Sequence, residues 1–276
     1  GVVLALGACL VALWLGPGLF APAGGAALGP SAGLRVSVLD VGQGDAILLQ
    51  PRGAPALLVD GGPPGEGLAA KLRDAGVERL GAAVVTHDQS DHAGGVQELL
   101  GEMPVGRLLY GALDRLTFAR LRTTRVPVQR LARGSEVRSG RLRLEVLWPP
   151  VELLAEPPHG EDPNRLALVL LARWRHFSML LAADAEAEAT PLDPGPIDVL
   201  KIAHHGSDDA NLGGLLDRTR PHLAVISVGA SNPYGHPTPA TLATLAAHGV
   251  RTLRTDRHGT VVFDVDRGSI QVSSGD

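Results

Sequence analysis

The stretch "THDQSDHAGG" places His87, Asp91 and His92 within a few residues of one another. Two imidazoles and a carboxylate at this spacing could converge on one divalent ion, the starting point for metal-assisted hydrolysis. Gln89 stands where a further ligand would help most, and its amide offers a dication only a partial charge. Apolar runs end on a similar residue elsewhere: Asp60 after "ALLV", Asp184 after "SMLLAA", and His204-His205 after "IDVLKIA". An Asp-Gly after a strand is ordinarily a turn. With His87 after "AAVVT" there are four such endings, all Asp or His, and they read instead as ligands brought to one place by strand ends. Strand alternation sends His204 and His205 to opposite faces, which leaves open the member of the pair that coordinates.

The elements that must position these residues are short and punctuated by Gly and Pro. "LRVSVLD", "DAILLQ" and "PALLVD" read as a three-strand meander, and "GEGLAAKLRDAG" has helical spacing. "GAAVVTH" reads as a buried strand leading into the helix "DHAGGVQELLGEM". "NRLALVLLARW" and "FSMLLAAD" form a hairpin around Arg175-His176, and strand, strand, helix and strand close the chain. Strand runs interleaved with single helices predict an α/β fold of two packed sheets with helices outside, a four-layer αββα sandwich spanning 34–276. Residues 1–21 carry no charge and are long enough to be the end of a transmembrane helix, with 22–33 as a linker.

Composition narrows the chemistry. The net charge of −4 fits neither a histone-like nor an acidic-tail protein. Cys9 is the single cysteine, so there is no disulfide partner within the chain and no thiolate metal cluster. Aromatic content of 3% argues against an extensive base-stacking platform. Asp40 and Asp45, beside Gly42 and Gly44, read as acids that pin a turn. The Arg-rich segment from Arg107 to Arg143 reads as a solvated face.

These ligands, in this order, resemble the metallo-β-lactamase superfamily. "LDVGQGDAILLQ", "LLVDGG", "LKIAHHGS" and "NPYGHPTPATLATLAAHG" are similar, more narrowly, to the C-terminal extracytoplasmic domain of ComEC-type competence proteins, membrane channels for DNA uptake. The resemblance implies a metallo-β-lactamase sandwich and a metal set of Asp60, His87, Asp91, His92, Asp184, His204 and His205. In it Asp184 bridges two ions, Asn164 replaces an intervening histidine, and Asp91 and His236 are catalytic, His236 facing the reacting phosphate. Gln89 departs from the pattern and weakens the second ion, with Asp88 as a candidate to compensate. The oxygen-rich set leans towards Mn²⁺ over Zn²⁺. The implied activity is a metal-dependent nuclease that degrades the non-imported strand, with DNA as substrate and the membrane channel portion of the same protein as partner. The implied place is the extracytoplasmic side of a bacterial cell membrane. Two other readings keep the fold: a metallohydrolase for small esters or phosphodiesters, and a degenerate domain that only guides DNA.

Overall fold

A computed structural model describes residues 33–122, 125–155, 162–187 and 190–275, together with the segment Ala12–Leu15. Two eight-stranded sheets face each other. One has the order β1 (Ala12–Leu15), β8 (Glu136–Ser139), β9 (Leu142–Trp148), β10 (Val169–Trp174), β11 (Phe177–Leu181), β12 (Val199–Lys201), β13 (Leu223–Ile226), β14 (Arg251–Arg254). The other has the order β16 (Ser269–Ser274), β15 (Val261–Asp266), β2 (Leu34–Val38), β3 (Ile47–Pro51), β4 (Leu57–Val59), β5 (Ala82–Val85), β6 (Leu108–Tyr110), β7 (Val128–Arg130).

Each sheet changes character partway across. Pairing is antiparallel from β16 to β4 and parallel from β4 to β7. In the other sheet it is antiparallel from β8 to β11 and parallel from β11 to β14. The ligand-bearing loops follow β4, β5, β11 and β12, the carboxyl ends of strands in the parallel portions, where an open sheet can hold a site without burying it in the core.

The side-chain pattern explains the layering. Along β9 the buried residues Leu142, Leu144, Val146 and Trp148 alternate with more exposed ones, as a one-sided strand requires. Leu142, Leu144 and Val146 join Val36, Leu49, Met179 and Phe263 in the core between the sheets. A fully buried leucine is worth roughly 1.5–3 kcal/mol relative to an exposed one. Helices α1 (Leu68–Asp74), α2 (Ser90–Glu102) and α3 (Arg115–Leu121) cover one outer face, packing Leu72, Val96 and Leu121 with Leu48 and Leu58. Beyond the short α4 (Val151–Ala155), helices α5 (Leu212–Thr219) and α6 (Pro239–Ala247) cover the other, packing Leu216 and Leu245 with Leu180 and Leu200. The layers therefore run helix, sheet, sheet, helix, as expected. Helix α3 is an addition to the sequence reading; Asp114 caps it by accepting the Thr117 N–H at 2.7 Å.

Of residues 1–21, only Ala12–Leu15 are described, as the edge strand β1 parallel to β8; these four are extended where a helix was expected. The rest of the expected membrane segment and the linker through Ala32 lie outside the described residues. Among the described residues no helix is long and apolar enough to cross a membrane.

Candidate metal centre

Asp60 follows β4 in a left-handed conformation, φ 58°, and its carboxylate is fully buried. Oδ1 accepts the Thr86 N–H at 2.8 Å. Oδ2 accepts the Thr86 hydroxyl at 2.8 Å and lies 2.8 Å from His92 Nδ1. The first turns of α2 reach this loop because Gly95 has no side chain: a Cβ there would lie 2.0 Å from the Gly61 carbonyl oxygen. The Gly61 N–H in turn donates to the His92 carbonyl at 2.8 Å. Local backbone contact thus sets His92 against Asp60.

With Nδ1 held, His92 turns Nε2 to 3.0 Å from Asp184 Oδ1. His205 is tied in the same manner, its Nδ1 donating to the Ser227 carbonyl at 2.9 Å. Its Nε2 sits 3.3 Å from Asp91 Oδ2 and 3.8 Å from Asp184 Oδ2. One ligand atom from each of Asp91, His92, Asp184 and His205 lies within 4.8 Å of the others. Both Nε2 atoms and both Asp184 oxygens are buried without a hydrogen-bond partner: the contacts have ion-pair distances but not hydrogen-bond alignment. An unsatisfied buried polar atom costs about 1–3 kcal/mol. Two imidazoles and two carboxylates aimed at one point fit a divalent ion.

Charge is stored in the cluster. Burial opposes charge on His92, but Asp184 and Asp60 outweigh it and hold the imidazolium well above the ordinary histidine range. Burial likewise opposes charge on Asp184, and His92 with His205 outweighs it, keeping the carboxylate well below its ordinary value. His92 and Asp184 thus favour each other's charged form, and a cation held between them would have to displace the His92 proton. Asp91 is also held low: burial opposes its charge, and the nearby His205 and His92 together outweigh it. Burial and the His92 charge push His87 down to about 3. Its Nδ1 lies 3.0 Å from the Thr86 hydroxyl and its Nε2 3.9 Å from Asp184 Oδ2.

The remaining candidates separate. Strand β12 stops at Lys201, and the 3-10 turn Ala203–Gly206 carries both histidines in left-handed backbone, φ 46° and 54°. The turn, not strand alternation, aims them apart: His205 is buried and His204 faces the cleft. His204 Nδ1 lies 2.9 Å from Glu186 Oε1, which also accepts the Ser207 hydroxyl. The Glu186 hydrogen bond raises the His204 pKa against the effect of burial. Gln89 donates to Asn164 Oδ1 at 2.6 Å, and Asn164 Nδ2 lies 3.5 Å from His204 Nε2. Asp88 points elsewhere, accepting the Asp114 N–H at 3.0 Å. His236 lines the cleft, its ring 5.6 Å from that of His204. The cleft has a volume of about 630 Å³.

Sequence reasoning missed the support behind His205. Lys201 is fully buried and ion-paired with the buried Asp45, whose Oδ1 is 3.5 Å from His205 Nδ1. The Ser227 hydroxyl donates to the Gly44 carbonyl at 2.6 Å, and the Gly229 N–H to Gln43 Oε1 at 3.1 Å. The loop Asp40–Ala46 is thus a brace between the sheets rather than a pinned turn alone. The available signal was Lys201 itself, one of two lysines among 25 basic residues.

The comparisons with known proteins follow this geometry. The chain is 29% identical over 83% of its length to ComE operon protein 3 of Bacillus subtilis, covering 33% of that protein. It is 30% identical over 86% of its length to competence protein ComA of Neisseria gonorrhoeae, again covering 33%. The chain thus spans about a third of the length of these curated relatives. Among solved structures, a metallo hydrolase from the archaeon Ignicoccus hospitalis superposes with a TM-score of 0.59 at 12% identity. That match covers 84% of this chain and 100% of the other, and shows a shared fold alone. The family model for the metallo-β-lactamase superfamily matches residues 39–229, from the brace loop through His205 to the end of the Ser227 segment, and the chain belongs to that superfamily.

Proposed function

We propose that this chain is a metal-dependent phosphodiester hydrolase acting on DNA, the nuclease portion of a membrane competence protein that degrades the non-imported strand. The supporting observation is the set of buried, unpartnered ligand atoms of His92, Asp184 and His205, joined by Asp91 beneath an open cleft. Similarity to competence proteins supports the DNA context; in this reading the chain works on the extracytoplasmic face of the membrane, beside the channel portion of the same protein.

In this reading Asp91, His92, Asp184 and His205 hold the ion. Asp60 orients His92 through Nδ1, and the Ser227 carbonyl orients His205. A divalent ion there, with Mn²⁺ favoured over Zn²⁺ by the two carboxylates, acidifies water and neutralises phosphate charge. His204, whose pKa is raised chiefly by its hydrogen bond with Glu186, faces a phosphate oxygen at the cleft floor. His236, whose pKa is lowered by burial and by His204, faces the same phosphate as a neutral imidazole. A second ion has His87 and Asp184 to bind it, and Gln89 and Asn164 add neutral amides already paired with each other.

Incubating the chain with end-labelled single- and double-stranded DNA under Mn²⁺, Mg²⁺ and Zn²⁺ tests the proposal. Cleavage dependent on added metal is expected, strongest with Mn²⁺. Intact DNA in every metal, with the ion demonstrably bound, overturns it. One observation favours a second reading, a small phosphodiester as substrate: among the described residues the cleft is lined by Glu66 and Asp91 and by no Lys or Arg, whereas tracks for polyanions are basic. Substrate length separates the two, since a small-ester enzyme gains nothing from a longer strand.

A further inference from the structure

We propose that Tyr234 is a stacking ring for one unpaired nucleobase at the cleft mouth, so that the site takes single-stranded DNA in preference to duplex; this rests on the nuclease reading above. Tyr234 is 67% exposed and, among the described residues, is the one exposed aromatic side chain. The other tyrosine, Tyr110, is packed against Phe118 with ring centroids 5.2 Å apart.

Its position is fixed rather than slack. Asn232 knits the loop around it, donating through Nδ2 to the carbonyls of Gly229 at 2.9 Å and His236 at 2.8 Å. Asn232 Oδ1 accepts the His236 N–H at 3.1 Å, and the Thr238 N–H donates to the Gly206 carbonyl at 2.9 Å. The loop is thereby fastened to the histidine turn. Tyr234 lies 5.9 Å from the His236 ring, and His236 lies 5.6 Å from the His204 ring. The three rings form a row from the cleft mouth to the edge of the metal cluster.

Charge sharpens the argument. Among the described residues no Lys or Arg lines this cleft, so the usual cationic grip on a phosphate backbone is weak where the scissile phosphate would sit. The ion and the two cleft histidines hold the phosphate, and a base face held by Tyr234 supplies the remaining affinity. A base inside a duplex has both faces covered by its neighbours and cannot be shared with a protein ring; a single-stranded base can. A single ring implies contact with a single base, and therefore little sequence preference.

The test compares parental protein, Tyr234→Ala and Tyr234→Phe in saturating Mn²⁺. The substrates are a single strand, the same strand in a blunt duplex, and the single strand with an abasic position beside the cleavage site. Tyr234→Ala is expected to raise KM for the single strand about tenfold with kcat nearly unchanged, and Tyr234→Phe to restore most of the loss. On the abasic strand the Ala variant and the parental protein should have matching KM values. A 2-aminopurine strand mixed with protein, read before the first turnover, should be quenched by the parental and Phe proteins but not by Ala. The salt dependence of KM should be shallow. The stacking role is overturned if KM is unmoved in Tyr234→Ala, if the abasic position costs both proteins equally, or if the parental enzyme prefers the blunt duplex. If no strand is cut, the nuclease reading fails, and the 2-aminopurine quench still decides the stacking independently.

Discussion

The two halves of the candidate metal centre draw on the same loops but are finished differently. In one half, Asp91, His92, Asp184 and His205 present charged or imidazole atoms, and each histidine has its far nitrogen tied to a fixed acceptor. In the other, Gln89 and Asn164 satisfy each other at 2.6 Å, and the imidazoles of His87 and His204 stand back from Asp184 Oδ2 at 3.9 and 4.0 Å. The contrast teaches what commits a position to a cation. Buried ligand atoms left without partners favour an ion, because the ion relieves their desolvation. Amides that close on one another have no such debt, and an ion there must first break a good hydrogen bond.

The largest expected effect comes from removing the group both halves share. Asp184→Asn should weaken Mn²⁺ binding by calorimetry at least a hundredfold and abolish metal-dependent hydrolysis. Unchanged affinity would show that the ion binds elsewhere. Next is Asp60→Asn, which leaves the ligand set intact but removes the anion behind His92. A loss of about ten- to a hundredfold in Mn²⁺ affinity is expected, the range typical of a lost ligand-orienting partner. No loss would mean the first half does not depend on its tied nitrogens.

Gln89→Asp tests the second half by adding the missing charge. The metal concentration for half-maximal activity should drop several-fold with little change in the saturated rate, and a second equivalent of Mn²⁺ should become measurable. Two equally tight ions in the parental protein would erase the contrast altogether.

The smallest effect is on stability against pH, in metal-free protein. His87 has a folded pKa of about 3 against an ordinary value of about 6.5. Between those values the unfolded chain binds a proton that the folded one refuses, so stability from this group is complete above the upper value and is lost as pH falls towards the lower. His92 runs the other way: its stabilisation is complete below the ordinary histidine pKa and is lost as pH rises through its raised value. His87→Gln should therefore flatten the acid side of a melting-temperature profile by a few degrees while leaving the alkaline side alone. A parallel shift of the whole profile would refute the assignment.

Much of the fold was legible because it is written in local patterns. The alternation of β9, the wholly buried run of β5 and the punctuating glycines each announce an element without help from the rest of the chain. The residue types that cluster in the candidate site were legible too, since Asp and His at strand ends are conspicuous. Their individual geometry was not. Whether an Asp holds an ion or a histidine depends on what its oxygens face, and Asp60 spends both on Thr86 and His92. The left-handed turn at His204 and His205 leaves no trace in hydrophobic period, so alternation was the wrong tool there. Asp88 and Gln89 are neighbours with opposite outlooks, one towards the start of α3 and the other towards Asn164. Asp45 and Lys201 pair across the two sheets, beyond the reach of any short window.

That last pair has a consequence for the order in which the protein is made. Asp45 is translated early and Lys201 late, with Ser227 and Gly229 later still. At roughly 5–20 residues per second, the brace loop waits on the order of ten seconds or more for its partners to leave the ribosome. Until then Asp45 is an acid with no counter-charge, so enclosing it in a dry core is strongly unfavourable. His205, the ligand it supports, does not yet exist. The candidate ligands of the two sheets therefore come together only after Lys201 and His205 have emerged.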